Sequence, residues 1–537
     1  MWYRFRHLTA TSRATRSINR EIGMKKLLSA VALLLPGMVA QAADGEVIRF
    51  ALNQDIRSSQ PGVNRDGNTD DVLMHVVEGM VGYREDGTVG PMLSSSWDVS
   101  NEGKTYTFHL REGVKFHNGD AMTAQDVVWS WKHWNDPKTQ WRCLREFDGS
   151  GLIHVTDVSA PDAHTVVMTL EKPVALFLDT LARTDCGAAA VISPKSVAAD
   201  GAWIAPIGTG PFSFGEWKHG EYVSLKRFAD YSALAGKEDG FVGGKKALVD
   251  EVRFMAIPDA ATVKAGLQSG AVDLAQVSPI DGIDLKKDPN IALEVAPNAQ
   301  RHVMLIQTDD PLLKNVKLRQ AIASALDSEQ IALGTSQNLA QASNSNISVA
   351  SAFYSNIQKQ GYKYDPARTA QLLKEAGYKG EPLEIIANKR ATVPSFDMAI
   401  IIQAMLQAAG INARVTTMEW ATQLERYQSG RYQMMTFTYS ARFNPALAFE
   451  QLVGDKTKQK RKVWGDPQAI AMTDELATVD DPARIQAITD KLHQQMIADV
   501  PLIIFYPGLD IVAHRKAISG YKSWLAAAAR LWNVSKA

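Results

Sequence analysis

The side chains able to do covalent chemistry are scattered along this chain and are not set at catalytic spacings. It has no G-x-S-x-G elbow, no H-E-x-x-H, no C-x-x-C and no G-x-x-x-x-G-K-[ST] phosphate loop. Those are the patterns that place a nucleophile beside its base, pair metal ligands on one helix face, or cradle a phosphate. Gly208-Thr209-Gly210 superficially resembles a phosphate cradle. Pro211-Phe212 follows it instead of a helix carrying Lys, so it reads as a tight structural turn. The eleven His residues lack metal-ligand spacing, and His109 and His117 fall in different predicted strands. Asp70-Asp71 and Asp480-Asp481 read as solvated helix starts or loops. The two cysteines, Cys143 and Cys186, lie 43 positions apart. They are either a disulfide, which an oxidising compartment favours, or two buried thiols. The chain is therefore expected not to be an enzyme and to need no metal and no cofactor.

The surrounding elements alternate between strand and helix. Glu46–Asn53 reads as an opening strand, broken by the turn-forming residues of Gln60–Asp66, and a helix is expected over Asp70–Met80. In Lys104–His117, Tyr106, Phe108 and Leu110 alternate with polar residues, and Val114 and Phe116 continue past a turn, which predicts a hairpin-like pair of strands. Thr123 and Asp126 form a capping-box pattern ahead of Val127, Val128 and Trp131. Strands are expected at Thr165–Leu170, Val223–Arg227 and Leu383–Ala387. Helices are expected after Asp259, over Val316–Leu326, after Asp365-Pro366 and over Ser395–Ala409. The tail predicts one strand at Leu502–Phe505, a break at Pro507-Gly508 and another strand at Asp510–Ala513. No fixed-period repeat appears.

With 45% hydrophobic and 22% charged residues among 537, the composition is that of a globular chain. At this length it should divide into at least two bodies, since single cores stop growing near roughly 250 to 300 residues. Met24-Lys25-Lys26, the apolar run Leu27–Ala40 and Ala40-Gln41-Ala42 predict an export signal cleaved before Ala43. The run is too short to cross a bilayer core of about 30 Å. Residues 1–23 hold Arg4, Arg6, Arg13, Arg16 and Arg20 upstream of the better start at Met24, and read as an upstream extension. No Cys follows the cleavage point, so no lipid anchor is expected, and the predicted location is the periplasm of a Gram-negative bacterium. Residues 1–42 hold seven Lys or Arg and one Glu, so their removal takes the formal net charge from +0 to −6. That charge makes nucleic acid an unsuitable partner.

A longer string then stands out: Ser96-Trp97, Gly103-Lys104-Thr105-Tyr106-Thr107-Phe108-His109-Leu110-Arg111, Gly113-Val114-Lys115-Phe116-His117-Asn118-Gly119 and Thr123-Ala124-Gln125-Asp126-Val127. Further along come Gly208-Thr209-Gly210-Pro211-Phe212, Ile257-Pro258-Asp259, Gly270-Ala271-Val272-Asp273, Asn315-Val316-Lys317-Leu318-Arg319-Gln320-Ala321, Tyr364-Asp365-Pro366 and Pro501-Leu502. Together they resemble bacterial solute-binding protein family 5, the dipeptide, oligopeptide and nickel receptors of ABC importers. The resemblance implies an α/β, two-lobed class II periplasmic binding protein with an extra subdomain inserted in lobe I. The expected divisions are 43–282 for lobe I, with the insert near 66–206, then 283–507 for lobe II and 508–537 returning to lobe I. Hinges are expected near residues 280 and 508. The implied partners are a peptide-like or other small ligand and the ABC permease subunits of the inner membrane, with the receptor itself a monomer. A chemosensory receptor of the same fold and an exported hydrolase are the alternatives.

In peptide-binding relatives, an acidic residue just after the strand corresponding to Tyr432–Thr438 meets the peptide's N-terminal ammonium. Here no Asp or Glu stands between Gln433 and Phe449, and Arg442 occupies the neighbourhood. Leaving a buried charge unpaired costs roughly 3 to 5 kcal/mol, or about two to four decades of affinity. The ligand expected is therefore an anionic conjugate or chelate, bound by the planar fork of Arg442. The alternative is an intramolecular ion pair of Arg442. Phe437, Tyr439 and Asn444 are expected to line the cleft beside it. By the same resemblance Trp141 and Arg142 in the insert, and Arg301 and His302 ahead of the first strand of lobe II, are candidate ligand contacts. For Trp141 core packing is an equal reading, and for Arg301 a surface charge.

Overall fold

In the computed structural model, residues 46–389 and 393–537 are described, all within one compact unit. The predicted export signal and upstream extension lie outside them. The largest assembly is a sheet of ten strands. From one edge its order is Ala413–Thr417, Leu383–Ala387, Met434–Tyr439, Ile291–Ile306, Leu502–Arg515, Leu274–Gln276, Val47–Leu52, Glu251–Ala256, Tyr222–Arg227 and Phe212–Lys218. Each half contains a parallel crossover unit, the kind of connection that needs a helix between its strands. Helix Ala260–Ser269 links Glu251–Ala256 to Leu274–Gln276, and helix Ser395–Ala408 links Leu383–Ala387 to Ala413–Thr417.

Two strands join the halves. Ile291–Ile306 and Leu502–Arg515 run antiparallel along their whole length, Ile291 opposite Arg515 and Leu305 opposite Leu502. The register shifts between Pro297 and Arg301, where Pro507 and Gly508 stand on the partner strand. The expected break at Pro507-Gly508 is thus a bulged point inside one continuous strand. A proline has no N–H to give the ladder, and a bulge is the place in a sheet that tolerates one. A Cβ on Gly508 would lie 2.8 Å from Gln300 Cβ, so only glycine fits this close approach.

A separate four-stranded sheet, ordered Ser94–Ser100, Thr105–Leu110, Thr165–Leu170 and Val155–Ser159, packs with helix Ala124–Asn135 in the stretch where the insert is expected. Thr105–Leu110 buries every second residue, as its alternation predicts, but its partners are Ser94–Ser100 and Thr165–Leu170. The expected pairing with Val114 and Phe116 does not form. That segment is a turn bridged from Lys115 to Ala121, because both edges of Thr105–Leu110 are already occupied by Ser94–Ser100 and Thr165–Leu170. The capping box of Thr123 and Asp126 is present.

The first helix covers Gly67–Leu73, capped by Asp66, and not Asp70–Met80. Asp70 is buried and paired with Arg65, and Asp71 is partly buried. These two are not the solvated helix start expected of them, since Ala529 and the rest of the C-terminal segment cover this helix. Gly208 and Gly210 pack directly on the backbone of His75 and Val76, a seam with no room for side chains. Among the described residues no helix is long and apolar enough to cross a membrane.

Candidate functional site

Strand Met434–Tyr439 and the loop after it carry most of the predicted contacts, and alternation decides which of them meet. Arg301 pairs with Tyr439 and His302 with Thr438, so neighbours in sequence point to opposite faces. Arg301, Phe437 and Tyr439 share one face, with the Arg301 guanidinium 5.8 Å from the Tyr439 ring centre. Phe437 stacks on Tyr427 at 4.7 Å and meets Tyr439 at 5.3 Å, forming an aromatic wall. His302 lies on the other face. Its Nδ1 is 2.9 Å from Thr438 Oγ1, its ring packs on Tyr506, and burial lowers its pKa to about 4, which keeps it neutral. Both residues lie inside strand Ile291–Ile306 and not ahead of it as expected, and the alternation turns them to opposite faces.

Arg301 is not a surface charge, being 1% exposed. It donates to the Ala299 carbonyl at 3.0 Å and to Gln451 Oε1, and Gln451 is itself tied to the Ser440 carbonyl at 3.3 Å. Among the described residues its Nε has no hydrogen-bond partner, and the buried Tyr439 hydroxyl has Tyr427 as its polar neighbour. Burial, and then the positive charge of Arg442, lower the Arg301 pKa to about 9. Arg442 donates to the Ala441 carbonyl at 2.8 Å. Among the described residues, no carboxylate lies within 4.0 Å of either guanidinium. The intramolecular ion pair weighed for Arg442 is therefore not formed; the attractive charge acting on it most strongly is that of Asp185.

Asp185 is already engaged. Arg183 grips it with Nε at 3.0 Å and Nη2 at 2.9 Å, and Arg142 adds bonds at 3.1 and 3.0 Å. Burial opposes its charge, but Arg183, then Arg442 and Arg142, outweigh that and hold the carboxyl well below its usual range. Cys143 and Cys186, the neighbours of Arg142 and Asp185, form a disulfide with Cα atoms 5.4 Å apart. Their sulfurs are bonded to each other, so the cluster they make with Asp185 offers no free thiolate to a metal.

Two further candidates already have partners within the protein. Trp141 is 3% exposed, donates to the Cys186 carbonyl at 2.9 Å and stacks on Phe147 at 5.6 Å, which makes it a core residue of the insert and not a cleft wall. Asn444 caps helix Pro445–Glu450 through its oxygen, and its amide donates to Asp179 at 3.0 Å. Asp179 falls in the stretch where the insert is expected, and burial raises its pKa to about 7. Beside it Phe443 meets Tyr83 edge to face at 4.6 Å. Loop 442–444 therefore closes against the insert. Sequence reasoning missed Arg183, Asp185 and Asp179; their one signal was proximity to Cys186. A surface groove of about 550 Å³ lined by Gln307, Asp309, Glu384, Arg431 and Lys460 lies at the opposite end of these strands and holds none of the candidates.

The bacterial extracellular solute-binding protein family 5 (Middle) model matches residues 88–461. The chain is 30% identical over 451 residues to the dipeptide-binding protein of Escherichia coli, covering 78% of this chain and 80% of that one. It is 28% identical over 374 residues to the glutathione-binding protein GsiB of Pectobacterium atrosepticum, 69% of each chain. The solved structure of HbpA2 from Haemophilus parasuis superposes with a TM-score of 0.79 at 24% identity, covering 91% of this chain and all of the other. The chain belongs to bacterial extracellular solute-binding protein family 5, with the two-lobed α/β fold of class II periplasmic binding proteins. Its function is that of a substrate-binding protein of an ABC importer, in a family of binders and not of enzymes.

Proposed function

We propose that this protein is the exported, periplasmic receptor of an ABC importer whose ligand presents an anionic group to Arg442 and Arg301. The observation that carries the reading is this pair of guanidiniums without a carboxylate within 4.0 Å, set where peptide receptors of the family keep an acid. Two like charges, Arg301 buried and Arg442 partly buried, repel, and each pays for desolvation. An entering carboxylate or phosphate relieves both penalties and satisfies Arg301 Nε. A free peptide ammonium would add a third positive charge at the same place.

Capture is coupled to hinge motion. The bulged crossing at Pro297–Arg301 and Pro507-Gly508 supplies the hinge, since the ladder is weakest there, whereas residue 280 lies in helix Pro279–Leu285 ahead of the first strand. A ligand touching both lobes favours the closed form, and a shift from 1:99 to 99:1 needs about 5.5 kcal/mol of differential affinity. The permease reads the closed form. The test is a thermal-shift and calorimetric comparison on ligand-stripped mature protein, using succinate, phosphoserine, N-acetylglutamate and dialanine against wild type and Arg442→Ala. Anionic probes binding wild type but not the variant support the reading. Dialanine binding both equally would reject it.

A further inference from the structure

Asp179 stands on a seam where two distant stretches of chain meet. It lies in helix Phe177–Leu181, where the insert is expected, and its carboxylate accepts the Asn444 amide at 3.0 Å. Asn444 follows Arg442 by two residues, in the stretch expected to be lobe II. Besides that amide the carboxylate accepts only its own backbone N–H. Among the described residues no Lys, Arg or His nitrogen lies within 4.0 Å of it. Further contacts cross the same seam. Phe443 meets Tyr83 edge to face at 4.6 Å, and the Tyr83 hydroxyl donates to the Asp179 main-chain carbonyl at 2.8 Å. Ala175 donates its N–H to the Ala477 carbonyl at 3.2 Å.

A carboxylate is a costly acceptor for this place. An amide oxygen would bond Asn444 equally well without a charge to desolvate. The charged and titratable groups around Asp179 do not offset that cost. Arg183 and Asp185, on the segment that follows the helix, are paired with each other; the Tyr83 hydroxyl serves the main chain, and Arg442 donates to the Ala441 carbonyl. Separation of the lobes parts Asn444 from Asp179 and returns the carboxylate to water, where an aspartate has a pKa of about 4. In the closed arrangement burial outweighs the Asn444 bond and raises it to about 7. The closed form then holds a proton that the open form releases. Acid therefore favours closure; the advantage is complete below about pH 4 and is lost as pH rises through about 7.

We infer that Asp179 and Asn444 form a proton-dependent clasp between the insert and lobe II, so that closure takes up a proton and ligand capture weakens in alkaline surroundings. Asp179 is a positioning residue: it acts through loop 442–444, which carries Arg442. This rests on the hinge closure proposed above and not on the charge of the ligand, and the experiment separates the two.

Small-angle scattering of ligand-stripped mature protein at about pH 5, 6.5 and 8 reads closure without any ligand. Wild type is expected to expand as pH rises, its closed-to-open ratio falling by about 10- to 100-fold over that range. Asp179→Asn keeps an oxygen for Asn444 and has no charge to desolvate, so it should stay compact throughout. Asn444→Asp keeps the oxygen that caps helix Pro445–Glu450 but sets a second carboxylate against Asp179. It should be more expanded than wild type at about pH 6.5, and adding Asp179→Asn to it, which exchanges donor and acceptor, should restore compaction. Calorimetry with N-acetylglutamate, whose carboxylates stay ionised at about pH 6, is run in two buffers of different ionisation enthalpy. Wild type should take up about one proton on binding and Asp179→Asn none. Wild-type dimensions that do not change with pH, the same pH response in Asp179→Asn, or an Asn444→Asp protein as compact as wild type at about pH 6.5 overturns the clasp. Binding of N-acetylglutamate without proton uptake also overturns it and leaves the anion site standing. If N-acetylglutamate binds none of the proteins, the anion reading fails while the scattering still decides the clasp.

Discussion

Replacing Arg442 by methionine removes a charge while keeping most of the aliphatic volume, and it should move stability and affinity in opposite directions. In the empty protein Arg442 makes one hydrogen bond, to its neighbour's carbonyl, and no ion pair within 4.0 Å. It also adds to the cost of keeping Arg301 charged. Loss of a partly buried, uncompensated guanidinium is therefore expected to leave the unliganded melting temperature unchanged or raise it, as when poorly compensated buried charges are replaced by apolar side chains. The bound state differs. Of the five guanidinium donors one is spent on Ala441, and a bidentate anion takes two of the rest. At roughly 1.5 to 3 kcal/mol for each hydrogen bond to a charged group, with partial compensation by water, the variant should lose about 3 to 5 kcal/mol of anion affinity. That is about two to four decades in Kd. Differential scanning fluorimetry reads the first quantity and titration calorimetry the second. A clear drop in unliganded melting temperature with anion affinity intact would refute the reasoning and make Arg442 a structural residue.

Three further outcomes follow from the same geometry. Asp179, with its pKa raised to about 7, holds a proton in the folded state that the unfolded chain releases near pH 4. Stability should fall as pH rises from about 4 to 7, by up to roughly 4 kcal/mol from this group. Asp70 and Asp510, raised to about 7 and about 6, act with the same sign, and Asp179→Asn should flatten denaturant midpoints measured from pH 4.5 to 8. Replacing Cys143 and Cys186 by serine opens a loop with a sequence separation of 43, worth about 4 kcal/mol in the chain-entropy model. Chemical denaturation should show that loss, with weaker anion binding because Arg142 and Asp185 are no longer tied. Gly508→Val forces a side chain against Asn298 and Gln300 at the crossing; small-angle scattering should then show no ligand-linked compaction, whereas normal compaction would place the hinge elsewhere.

Local patterns in the sequence determined most of the elements and the family. Strand Leu383–Ala387, the capping box at Thr123 and Asp126, and helix Pro366–Ala376 with Asp365 before it and Gly377 after it each depend on residues a few positions apart. Such signals survive without tertiary context. The proposed role of Arg442 starts from a local reading too, an expected acid that is absent between Gln433 and Phe449. What the sequence could not determine is pairing across hundreds of positions. Arg301 and His302 are adjacent in the chain, yet the strand opposite them sends one toward Tyr439 and the other toward Tyr506. Asp179 meets Asn444 across 265 positions. Asp70 and Asp71 resemble a solvated helix start until the C-terminal segment folds over them. Pro507 reads as a strand break until a bulge opposite it accommodates the missing donor. In each case a residue's own type and neighbours set what it could do, while burial and charge partners, which arise only when distant segments pack, decided what it does.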